Sequence, residues 1–297
     1  MAHYLQVGKT EETGRGGLLW EVGEAVARRA DITHQDVLHN VTAGEDVLTS
    51  LQARFPNYAF YKLKLAPGEY FPRIARPGSQ HPYDHGYNPD NITNRDLIAT
   101  AQGQLMALRD QLERTCRVVQ PVKENWNAFG HDLRNLLILA CTEVETHCKG
   151  VLLANRARAD TTKDYVKLCP AMRLDEYAIE FPFYPWLDAI APFKDWSPEA
   201  PTRSLCWYDA YNAVKHNRER EFGRGTLGHT FEAIAGCVVM IAAQFGWTFS
   251  IQQQRTLSSY FNLKSRPKWP PNDAYTPEYI GTERRFLSPR NYSFDNR

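Results

Sequence analysis

The sequence predicts a mainly α fold, a four-helix up-and-down bundle behind a small N-terminal segment that carries a β-hairpin. Three observations lead there. Four stretches, 96–119, 124–154, 204–221 and 226–245, carry apolar residues at helical spacing. The best strand candidate lies earlier, at 55–74, and Pro72, Pro77, Pro82 and Pro89 follow in a run that neither a helix nor a central strand can hold. The expected organisation is therefore an N-terminal segment over 1–88, a helical bundle over 89–250 and a C-terminal tail over 251–297 packed on that bundle.

Taken in order, residues 1–17 are polar and glycine-rich and predict a loose arm, while 18–30 have helical spacing and predict short helices. In 55–74 aromatic and apolar residues alternate with polar ones on either side of Pro67 and Gly68, as in a hairpin. Thr93 with Asp96 resembles a capping box opening the helix 96–119, which Pro121 ends. On 124–154 an apolar stripe of Leu133, Leu137, Ala140, Val144, Cys148 and Val151 opposes Arg134, Glu145 and Lys149, the pattern of half a helical hairpin. A long connection rich in proline and aromatics, with a possible strand at 177–183, leads to the last two helices, which join at Gly223 and Gly225. The apolar run 231–247 is about one bilayer long, but Glu232 lies inside it, so a buried core helix is expected and no membrane span.

Composition bounds the function. The chain has 297 residues, 43% hydrophobic and 23% charged, so it can bury a real core. Its 35 basic residues face 34 acidic ones, which leaves no overall field for a polyanion and requires a local patch instead. Six scattered cysteines form no CxxC pair and read as reduced core thiols, with no zinc spacing. No apolar stretch with a basic flank opens the chain, and a cytoplasmic location is the expectation.

The segment 204–221 is the informative one. At about 100° per residue, Trp207, Ala210, Tyr211, Val214 and the stem of Arg218 share a core side, and Asp209, Asn212 and His216 form a polar row on the other. Spacings of three and four stack that row within reach of one ligand. Lys215, Arg218 and Arg220 add positive charge at the end where the helix dipole favours it. Trp207, Tyr208 and Tyr211 could stack on a base.

The segment YNAVKHNR, with the earlier LRNLLILACTEVETHCKG, resembles the HEPN superfamily of all-helical domains over roughly residues 94–247. That resemblance implies a ribonuclease or RNA-binding module in a bacterial defence or stress response, acting as a homodimer without cofactor or metal. Its alternative is a non-catalytic module for a nucleotide or a protein. The family's signature is an arginine followed, after four to six residues, by a histidine. His216 matches the histidine and Asn212 the polar position, whereas Asp209, Ala210 and Tyr211 stand where the arginine would be.

RNA cleavage without a metal needs a proton acceptor, a proton donor and positive charge on the phosphorane. The expected catalytic set is His216 as acid or base, Asn212 orienting phosphate or ribose, and Arg218 neutralising charge, with Asp209, Lys215, Tyr211, Arg220 and Glu143 binding substrate. Glu143, four residues before His147, could face the polar row; a helix-boundary ion pair is its plainer role. His81, Asp84 and His85 have metal-ligand types on a loop without a scaffold, and GRGG at Gly14 lacks the lysine of a phosphate loop. Residues 1–88 could hold a protein partner.

Overall fold

The computed structural model describes residues 1–9, 17–31, 38–41, 44–79, 86–247, 251–252, 254–280 and 283–295. It corrects the expected fold class: the chain forms a five-stranded antiparallel sheet as well as helices, so the fold is mixed α+β. Strands β1 (Ala2–Gly8), β2 (Leu18–Val22), β3 (Val26–Arg29) and β4 (Leu38–Asn40) precede helix α1 (Val47–Arg54) and strand β5 (Tyr58–Lys62). The sheet order is β4-β3-β2-β1-β5. Strands thus stand at 2–8, 18–22 and 26–29, within the expected arm and short helices; residues 10–16 of that arm lie outside the described residues.

Side chains in this sheet alternate between its faces. Leu5, Val7 and Leu19 cluster with Leu63 and Ala274, while Trp20 and Ala27 cluster with Val47 and Leu51 of α1. Buried Gln6 accepts from Trp20 Nε1 at 2.6 Å, which satisfies a polar pair inside that second core.

The expected hairpin has a real turn and the wrong partners. Gly68 has φ +82° and its N–H donates to Thr276 O at 2.8 Å. A Cβ there would come 3.1 Å from Glu278 Cβ. The chain therefore turns toward residues 276–278: β5 pairs with β1, and β6 (Glu69–Tyr70) pairs in parallel with Ser288–Pro289.

Against the expected ranges 1–88, 89–250 and 251–297, the compact units are Met1–Pro72 with Arg76–Pro89 and Lys268–Arg290, and Arg73–Ala75 with Asp90–Pro267 and Asn291–Arg297. The second unit holds helices α2 (Arg95–Cys116), α3 (His131–Ala154), α4 (Thr162–Tyr165) and α5 (Leu168–Met172), strand β7 (Ala178–Glu180), helices α6 (Cys206–His216), α7 (Arg218–Glu221), α8 (Leu227–Phe245) and α9 (Arg255–Tyr260), and strand β8 (Asn262–Ser265). Strand β7 falls inside the expected 177–183 and pairs with β8.

Helix α8 touches α2, α3 and α6. It is long and apolar enough to cross a membrane, yet 89% of its apolar window is buried. Thr226 caps it by accepting from His229 N at 3.2 Å. Thr93 makes no such cap: its hydroxyl donates to Asp90 O, and α2 starts after Asn94 with no side-chain cap bond. Helix α3 starts later than expected because Ala128 O and Trp126 O accept from the N–H groups of Leu227 and Gly228, at 2.8 and 2.9 Å, which holds that stretch along the start of α8. Five cysteines are buried thiols; Cys206 is exposed, contrary to the core reading.

Candidate functional site

Helix α6 packs through the face its spacing predicts. Trp207, Ala210, Tyr211 and Val214 are buried, and Tyr208 joins them. Trp207 fixes the helix by donating from Nε1 to Pro192 O at 2.9 Å while its ring meets Phe193 edge-on. The helix ends at His216, where Asn217 turns to φ −136° and ψ 68°. Arg218, whose stem was expected in the core, is consequently exposed on α7 beside exposed Arg220.

The polar row does not converge. Asp209 Oδ2 accepts from Arg224 Nη2 at 2.7 Å. Asn212 turns its amide back to its own helix, Nδ2 donating to Tyr208 O at 2.9 Å. His216 is exposed, and no hydrogen bond or ion pair reaches it among the described residues. Asp209 and Asn212 are thus engaged separately, and neither meets His216.

What α6 does converge on is Glu145 of α3, placed by the sequence reading on the polar side and given no role. Tyr208 OH donates to Glu145 Oε1 at 2.5 Å, and Tyr211 OH lies at the limit of a bond, 3.5 Å from Oε2. Lys215 Nζ donates to Tyr211 OH at 2.8 Å and sits 4.9 Å from the centre of that ring. The Tyr211 hydroxyl thus accepts from an ammonium and points its proton at a carboxylate. Burial, then the bond to Glu145, pushes the Tyr208 phenol well above its usual range. The bond to Tyr211 raises Lys215. The available signal was the pair of tyrosines three residues apart on a core face, whose hydroxyls need polar partners.

Glu143 faces elsewhere: its Oε1 lies 3.3 Å from Nε2 of buried His147, the boundary pairing. Tyr208→Phe is expected to lower the unfolding free energy by about 2 kcal/mol, because it removes a hydrogen bond to a charged, partly buried acceptor. Tyr211→Phe gives up a marginal contact to Glu145 and the bond from exposed Lys215, so its cost should be smaller, about 1 kcal/mol. Urea melts of the two variants check the order.

Among the described residues, no group of three or more His, Cys, Asp or Glu side chains is placed to hold a metal ion. His81, Asp84, His85 and Gly14 lie outside the described residues. No family model, curated protein or solved structure matches the chain.

Proposed function

We propose that this protein binds RNA at the C-terminal end of α6 and does not cleave it. The observation that supports this reading is a run of exposed groups at and just past the end of the helix, His216, Arg218 and Arg220, without partners among the described residues, with exposed Lys215 one residue earlier. Glu219 and Glu221 lie among them; Glu221 is 4.0 Å from Arg224, so the end remains net basic. Phosphates attract cations such as Arg218 and Arg220 and release their counterions on contact.

Cleavage would require a second proton carrier beside His216. Asn212, Asp209, Tyr211 and Lys215 are each engaged within the chain, and no arginine precedes His216 at the HEPN spacing. This is the binding half of what the HEPN resemblance implies, and it needs no homodimer.

Anisotropy of a labelled single-stranded RNA tests it. With three phosphate contacts, log affinity against log salt should fall with a slope of about −2. The double variant Arg218→Glu, Arg220→Glu should lose at least about tenfold in affinity and most of that slope. Equal binding by the double variant would place the RNA elsewhere and reject the reading.

A further inference from the structure

The second unit contains a cavity of about 380 Å³ beside the first turns of α8, a volume suited to a small molecule. Its lining is Lys123, Trp126, residues 186–191 and Glu232.

Its walls are fixed. Trp126 stacks on Phe231 with centroids 5.3 Å apart, and its indole lies so close over Gly228 that a Cβ there would come 2.4 Å from Nε1. Trp186 donates from Nε1 to Pro121 O at 2.6 Å. Ile190 exchanges two backbone bonds of 2.8 Å with Ile179 of β7, which ties the 186–191 stretch to a strand.

Glu232 supplies the demand. Its Oε2 is buried and has no hydrogen-bond partner among the described residues. A buried acceptor without a donor is costly, and an ionised one more so. The other charged groups lining the cavity are Lys123 and Asp188, both exposed and opposite in sign. That leaves one uncompensated carboxylate in a lining that also holds two indoles, and indole faces attract cations.

We propose that this cavity binds a small organic cation, an alkylammonium or guanidinium compound, whose charged nitrogen donates to Glu232 and lies against Trp126 and Trp186. The site is separate from the RNA-binding end of α6, and either can fail alone. Burial raises the Glu232 carboxyl to about 7, so binding of a permanent cation competes with a proton there.

Calorimetric titration of the full chain with agmatine and with spermidine tests this. Affinity should be about tenfold higher at pH 8 than at pH 6, following the ionised fraction of Glu232. Glu232→Gln should bind at least about tenfold more weakly at pH 8 and lose the pH dependence. Trp186→Ala, at an exposed position, should weaken binding several-fold with folding intact. Failure of both amines to bind folded wild-type protein would overturn the proposal. So would affinities unchanged by Glu232→Gln, or binding of AMP in their place with no dependence on Glu232.

Discussion

Replacing Gln244 by leucine is expected to lower the unfolding free energy by about 3 kcal/mol, because it strands a half-buried guanidinium and buried His147 together. Gln244 is fully buried, and its Oε1 accepts from Nε and Nη2 of Arg73 at 2.9 and 2.5 Å. Its Nε2 donates to Met240 O at 2.7 Å and faces His147 Nδ1 at 3.1 Å. Arginine can only donate, so the amide oxygen must face it, and the NH₂ group must face the histidine. That fixes His147 Nδ1 as an acceptor and puts the ring proton on Nε2, which lies 3.3 Å from Glu143 Oε1 without a hydrogen bond among the described residues.

Arg73 is held at φ +55°, and a Cβ on Gly150 would come 2.0 Å from its Nη1. Burial pulls its pKa down to about 10. Leucine has nearly the volume of glutamine and no acceptor, so packing survives while Arg73 and His147 both lose a partner. Guanidinium chloride melts check this; a loss below about 1 kcal/mol would mean water replaces the amide without penalty.

Glu232→Gln should act in the opposite direction and raise stability at pH 8 by about 2 to 3 kcal/mol. The folded carboxyl titrates near 7 and the unfolded one near 4.5, with burial as the cause. Below the unfolded value both states hold the proton and Glu232 contributes nothing. As pH rises toward 7 the unfolded chain releases its proton while the folded chain keeps it, so stability falls. Above 7 the penalty is complete. The variant should therefore match wild type at pH 4 and melt higher at pH 8. Parallel stability profiles from pH 4 to pH 8 would show that the carboxyl is solvated after all.

The helices were legible because their signal is local. The stripe on α3 and the core face of α6 need only a period of 3.6 and lie where it puts them. The N-terminal sheet was not legible, because adjacent Leu19 and Trp20 are both buried, on opposite faces, and this breaks the simple alternation. Gly68 was readable as a turn, but its destination at residues 276–278 lies about 200 positions away, beyond any pattern.

The site divided in the same manner. Spacing puts Asp209, Asn212 and His216 on one side of the helix, and could not reveal that Asn212 would bond its own backbone. Glu145 was masked because the stripe pattern sets it on the opposite, polar side. Glu232 stood out as a charge within an apolar run, while its cavity depends on how the 186–191 connection folds against it.

The most direct test of the functional reading is the fate of RNA itself. An end-labelled single strand of about 30 nucleotides, long enough for several binding sites, is incubated with excess wild-type protein or His216→Ala and resolved on a denaturing gel. The expected result is full-length RNA in both lanes at concentrations where anisotropy shows it bound. Fragments ending in 2′,3′-cyclic phosphate with wild type and not with His216→Ala would contradict it and make His216 a catalytic residue.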